Sequence, residues 1–257
     1  MHTRDSLREQ LEAMNIDPKG TLLVHSSMKA IGQVEGGADT VLDVLCVYMK
    51  DGLLIFPTHT WRQMSPTYTV FDVKNEPSCV GLLTNLFRER EGVVRSYHPT
   101  HSVAAMGKDA ADYVAGEELT RTPCPRHGCW GRLYDRNATI LFLGCSLKRN
   151  TFLHSVEEWE NVPNRIAPFS QDFTVMAPDG QSYIVPQYRH HTGEPSFDVS
   201  QQYDIMEPVF AKEGAIGYGQ FGDAKCIIGS AVKMGDITAE YLRRDPKLFD
   251  EGAKPLE

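Results

Sequence analysis

The segment Thr151-Phe152-Leu153-His154-Ser155-Val156-Glu157 carries the residue types that proton transfer needs. If it is a helix, Thr151, His154 and Glu157 fall at i, i+3 and i+6, and neighbours at that spacing touch. A carboxylate beside an imidazole raises its basicity and fixes its tautomer. Such a pair suits a general base that takes a proton from an incoming nucleophile. A histidine three residues before a glutamate also occurs on ordinary helices, so spacing alone leaves both readings open.

Two other chemistries compete. Cys145 stands near the same segment, and a Cys145–His154 pair could carry an acyl group. The run Cys124-Pro125-Arg126-His127-Gly128-Cys129 places two thiols and an imidazole within six residues. With a fourth ligand from His190 or His191 it could hold zinc. That spacing is wider than a Cys-x-x-Cys pair and no second pair follows; Arg189-His190-His191 also reads as a plain polar loop.

Buried strands must position these groups. Thr21–His25, Leu53–Phe56 and Thr139–Leu143 are short apolar runs bounded by Gly or Pro. Helical periodicity is expected over residues 4–14 and 38–48, giving helix, strand, helix, strand in the first sixty residues. That alternation predicts a parallel βαβ unit and an α/β class. Residues 59–77 read as a long loop, Ser78 as the cap of a helix to about Arg90, and 92–95 and 102–106 as strands. Helices are expected over 110–118, 197–211 and 237–242, with a last strand at 226–229. Phe173–Met176 and Tyr183–Val185 around Asp179-Gly180 read as a hairpin. The expectation is a three-layer α/β/α core with a largely parallel or mixed sheet and a smaller β-containing C-terminal insertion. Residues 1–257 would form one domain, with a smaller subdomain around 165–215.

In such sheets ligands gather at the carboxyl ends of strands. That rule nominates His25-Ser26-Ser27 with Lys29 and Gly32, then Pro57-Thr58-His59-Thr60, then Gly144-Cys145-Ser146 leading to His154. The plain alternative is that strand ends are polar because they emerge into water.

The bulk composition narrows the function class. The 257 residues are 41% hydrophobic and 23% charged, ordinary for a globular chain. The net charge of -8 and the lack of basic runs argue against a nucleic-acid partner. No apolar stretch reaches membrane-spanning length, and the start MHTRDSLREQLEAM reads as an amphipathic helix rather than a secretory signal. A cytoplasmic location with six reduced cysteines is the expectation.

The stretch Leu23 to Gly32 (LVHSSMKAIG), followed by Glu35-Gly36-Gly37-Ala38, resembles the opening motif of the aminoglycoside 3-N-acetyltransferase family. Further segments resemble it in order: Pro57-Thr58-His59-Thr60; Phe71-Asp72 with Pro77-Ser78 and Gly81; Gly92 to Ser96 with His98-Pro99; His101 to Gly107; and Leu143-Gly144 leading to Asn150-Thr151 and His154. The resemblance spans about residues 5–245.

It implies acetyl transfer from acetyl-CoA, as co-substrate, to an amine, with no metal. His154 would be the catalytic base, Glu157 its partner, and Thr151 an assisting hydroxyl. His25, Ser26, Ser27, Lys29, Gly32, Thr58 and Ser102 would line the CoA and acetyl site. Asp72, Glu76 and Glu158 would meet the acceptor, by implication the 3-amino group of a 2-deoxystreptamine aminoglycoside. Partners would be small molecules, neither nucleic acid nor membrane, and a homodimer is admitted. Departures leave the acceptor open. Glu76 stands where the family tends to carry Thr, and Ser155-Val156-Glu157-Glu158 replaces its usual Leu-Ala-Glu-Tyr. A member acting on another amine, or a catalytically silent CoA-binding protein, are the competing readings. Glu158 and Glu160 read equally as a solvated helix face.

Overall fold

The structure is a computed structural model that describes residues 1–191, 197–253 and 256. Alternation along three apolar strands dictates its layers. In β1 (Thr21–Ser26), Leu22 and Val24 face one core and Leu23 the other. The same split occurs in β2 (Leu53–Pro57), with Leu54 and Phe56 opposite Leu53 and Ile55. Strands that bury both faces need helices on both sides. The first face is covered by α1 (Arg4–Ala13), α3 (Gly37–Tyr48) and α4 (Leu82–Arg88), while α2 (Met28–Ile31) is a single turn after β1.

The middle of the chain adds the short β3 (Val70–Asp72), then β4 (Val94–Arg95), β5 (Val103–Gly107) and α5 (Ala110–Val114). Next come α6 (Cys129–Asp135), β6 (Thr139–Leu143) and α7 (Thr151–Trp159). The long strands β7 (Ile166–Met176) and β8 (Ser182–His190) follow. The chain then runs through α8 (Glu207–Lys212), β9 (Ile216–Phe221), β10 (Ala224–Ser230) and α9 (Ala231–Arg244).

Among the described residues the main sheet has seven strands in the order β4-β5-β2-β1-β6-β10-β9. Its centre is parallel, β2 and β6 flanking β1, and the outer pairs are antiparallel. The second core packs Phe142, Ile140 and Leu23 against Trp130 of α6, Phe152 of α7 and Met234 of α9. Phe142, Trp130 and Phe152 are fully buried, each side chain contributing about 1.5–3 kcal/mol of transfer free energy. A three-stranded sheet, β3-β7-β8, closes over its own small core of Phe71, Phe173, Val175 and Val185.

Several elements differ from expectation for identifiable reasons. The polar stretch 59–77 holds β3, which pairs parallel with β7, Phe71 opposite Val175. The helix expected from Ser78 starts after Gly81; the Ser78 hydroxyl instead accepts from the Val80 amide, and Asn85 Oδ1 accepts from the Ser78 amide. The 110–118 helix breaks at Gly116, whose φ of 81° is left-handed. Over 197–211 the chain is a 3₁₀ helix, Val199–Met206, becoming α-helical only at Glu207 beside Pro208. The hairpin is longer than its apolar centre, and α9 begins at Ala231 rather than near residue 237. β9 was hidden because Gly217 and Gly219 interrupt its pattern.

Candidate active site

Because β1, β2 and β6 run parallel, their carboxyl ends open at one edge of the sheet. A cleft of about 1210 Å³ lies there. His25, Ser26, Ser27 and Lys29 line it from the end of β1, and Pro57 and His59 from β2. Gly144, Cys145 and Ser146 line it after β6, and Thr151 and His154 reach it from α7. The turn out of β6 is tight: Gly144 has φ of 71°, and a Cβ there would stand 2.4 Å from Ala30 Cβ. Thr151 Oγ1 and His59 Nε2 are 3.1 Å apart on the cleft wall.

The segment 151–159 is helical, which brings His154 Nδ1 within 3.2 Å of Glu157 Oε2. Tyr203, from the 3₁₀ turn, stands over both: its hydroxyl lies 2.6 Å from His154 Nδ1 and donates to Glu157 Oε2 at 2.5 Å. The phenol has a single proton and the carboxylate has none. The proton on the ring must therefore sit on Nδ1, which leaves Nε2 with a free lone pair. Arg165 anchors the other carboxylate oxygen, its Nε donating to Glu157 Oε1 at 2.5 Å, while its Nη2 donates to Asp250 Oδ1 at 2.9 Å.

Glu157 is 1% exposed, and burial pushes its carboxyl up; the His154 hydrogen bond and the charge and hydrogen bond of Arg165 outweigh burial and hold it below the usual carboxylate range. Burial first, and Glu157 second, push the Tyr203 phenol well above its ordinary value, so it stays protonated. The arrangement is an oriented imidazole backed by a fixed negative charge. Burial, then the Arg149 charge, pulls His25 down to about 3, so its ring is neutral.

The chain matches the model of the aminoglycoside 3-N-acetyltransferase family over residues 23–243. It belongs to that family. It is 27% identical over 270 residues to an SPbeta prophage-derived aminoglycoside N(3')-acetyltransferase-like protein of Bacillus subtilis (strain 168), with 95% of this chain and 94% of that protein covered. Its fold matches that of an AAC-IIIb binary complex with CoASH at a TM-score of 0.81 and 20% identity, covering 94% of this chain and 96% of that one. It matches a mutant of aminoglycoside acetyltransferase AAC(3)-IVa in complex with a gentamicin at a TM-score of 0.81 and 23% identity, covering 96% and 91%. The three-layer α/β/α architecture is thus the acetyltransferase fold.

In this family member the nominated residues separate into two groups. His25, Ser26, Ser27, Lys29, Thr151 and His154 share the cleft. Gly32, Thr58, Ser102, Asp72, Glu76, Glu157 and Glu158 do not line it, Glu157 being bonded to His154, which does. Gly32 ends α2, where a Cβ would strike Asp223. Thr58 and Ser102 are fully buried and bond each other at 2.9 Å, and Arg95 Nε donates to both hydroxyls at 3.2 Å. They organise the β2–β5 junction from behind. Asp72 accepts from the Lys74 and Asn75 amides and closes a turn. Glu76 accepts from Gln63 and the Tyr68 hydroxyl. Glu158 accepts from the Cys124 amide at 2.7 Å and lines a separate cavity of about 430 Å³.

Sequence reasoning missed Tyr203 and Arg165. Neither lies at a helical spacing from Glu157, and no local signal marks a partner 46 residues downstream. Cys145 lines the cleft, but burial pushes its thiol up to about 12, which disfavours the thiolate an acyl-enzyme requires. Among the described residues, no helix is long and apolar enough to cross a membrane.

Proposed function

We propose that this protein transfers the acetyl group of acetyl-CoA to an amine directly, in a ternary complex, with His154 as general base. The observation that carries the reading is the His154–Glu157–Tyr203 cluster at the mouth of the parallel strands. As the amine nitrogen adds to the thioester carbonyl, His154 Nε2 takes an amine proton. Collapse of the tetrahedral adduct breaks the C–S bond, and the proton passes to the departing thiolate. Glu157 balances the transient imidazolium. The first amides of α7 and the Thr151 hydroxyl are the donors at hand for the oxyanion. Lys29, Lys148 and Arg149 in the cleft suit the phosphates of CoA, in line with the CoASH held by AAC-IIIb.

For the acceptor, family membership points to the 3-amino group of a 2-deoxystreptamine aminoglycoside, and the gentamicin complex of AAC(3)-IVa supports that reading. One observation favours a second reading, an amine that also carries an anionic group. Besides the three cations assigned to CoA, the cleft is lined by Arg62 and Arg189, and by Arg165, which is paired with Glu157 and Asp250. Among the described lining residues Asp198 is the one carboxylate, and it is engaged with the Ser200 amide and Gln201. The chain's net charge of -8 attracts cations from afar, but within a Debye length of about 8 Å the lining charges decide. A polycation entering this cleft meets arginines.

A thiol-release assay with acetyl-CoA tests both readings against aminoglycosides, neutral amines, and amines bearing a carboxylate or phosphate. Thiol release with any amine supports the acetyltransferase. Turnover of a 2-deoxystreptamine compound supports the first acceptor, and turnover confined to anionic amines the second. Failure to release thiol with every amine, in a chain that binds CoA, would leave only the catalytically silent reading.

A further inference from the structure

Three potential metal ligands converge beside the cleft from segments distant in sequence. His101 precedes β5, Cys124 lies in the loop before α6, and His190 ends β8. One ligand-capable atom of each, a ring nitrogen or Sγ, lies within 4.8 Å of the others. A tetrahedral zinc ion with Zn–N of about 2.0–2.1 Å and Zn–S of about 2.3 Å needs ligand atoms about 3.5 Å apart. The three atoms lie within about 1.3 Å of that spacing.

His190 Nε2 is buried and has no hydrogen-bond partner. An unpaired imidazole nitrogen carries a lone pair that can ligate a metal. His101 Nδ1 is engaged at 2.9 Å by the Thr100 hydroxyl, which leaves Nε2 for a metal. The acetyl-transfer chemistry uses neither Cys124 nor these two rings.

The six-residue run that suggested zinc therefore splits in space. His127 is exposed, and Cys129 Sγ donates to the Tyr113 carbonyl at 3.3 Å. Cys124 alone of that run joins the cluster.

We propose that His101, Cys124 and His190 form a binding site for a zinc-type divalent ion. Two imidazoles and a thiolate favour zinc or cobalt over magnesium or calcium. On binding, the Cys124 thiol releases its proton to solvent as the sulfur–metal bond forms. His101 and His190 line the cleft and Cys124 does not, so the fourth position faces the cleft and takes a water or a donor atom of a bound molecule. The His190 ring lies 4.3 Å, centroid to centroid, from that of His154, so the ion would sit beside the catalytic base.

The test is cobalt titration of the full chain after chelator treatment, independent of any acetyl-transfer assay. The expected result is one Co²⁺ per chain, with tetrahedral visible bands and a sulfur-to-cobalt charge-transfer band, both abolished by zinc. Cys124→Ser should remove the charge-transfer band, and His190→Ala should weaken binding by more than about 100-fold. His127→Ala and Cys145→Ser should change neither. Circular dichroism confirms folding of each variant, and His101→Gln replaces any that fails. No thiolate–cobalt band in the folded protein would overturn the proposal, as would a band that survives Cys124→Ser or disappears with Cys145→Ser.

Discussion

Replacing Tyr203 by Phe removes one oxygen atom from the hub of the site. The ring stays, because it is fully buried and packs edge-on to Phe249 at 4.8 Å. What is lost is the hydroxyl that donates to Glu157 at 2.5 Å and lies 2.6 Å from His154 Nδ1. A hydrogen bond to a charged group contributes about 1.5–3 kcal/mol, and Glu157 is too buried for water to replace the donor. Arg165 still neutralises the other carboxylate oxygen, so the loss stays near about 2 kcal/mol. At about 2–4 °C per kcal/mol for a chain of this size, Tm should fall by about 4–8 °C. His154 loses one of its two Nδ1 partners, so kcat should drop about tenfold, equivalent to about 1.4 kcal/mol in the barrier. KM for acetyl-CoA should stay constant, since Tyr203 does not line the cleft. Differential scanning calorimetry and the thiol-release assay read both quantities. A Tm and a kcat that both match the parent would refute the claim that Tyr203 orients the pair.

Two other outcomes follow from buried charge. Burial raises the Glu158 carboxyl to about 7, against a reference of 4.5. The folded state keeps a proton that the unfolded state releases, so this group's contribution to stability falls as pH rises from 4.5 to about 7. Glu158→Gln should remove that fall, so that the unfolding free energy of the variant gains on the parent by about 3 kcal/mol between pH 4.5 and 8; an unchanged difference across that range would refute it. Arg95 is buried with no ion pair to a carboxylate among the described residues, and its guanidinium donates to the carbonyls of Val73, Glu76 and Thr58. Arg95→Lys cannot span these acceptors and should cost about 3 kcal/mol or more in urea unfolding, through unsatisfied buried groups.

How much of this was legible in the chain depends on where the information lies. The runs Leu22–Val24, Leu53–Phe56 and Ile140–Leu143 are continuous because both sheet faces are buried, so the central strands could be read directly. The His154–Glu157 pair was visible because a helix converts spacing into contact. Tyr203 and Arg165 were not visible, since they reach Glu157 through tertiary packing that leaves no periodic trace. The carboxylates Asp72, Glu76 and Glu158, assigned to the acceptor through the family resemblance, stand away from the cleft, and each is engaged by a local turn, a neighbouring side chain or a backbone amide. β9 was unreadable because its two glycines break the alternation, and its register comes from pairing with β10.

The central claim is that His154 removes the amine proton, aided by Glu157. It is tested most directly by His154→Ala in a thiol-release assay, with acetyl-CoA and the best acceptor from the amine panel, alongside CoA binding by calorimetry. The account predicts that kcat falls by about 10²–10⁴-fold while CoA affinity is retained. A His154→Ala protein that turns over at the parent rate would contradict it.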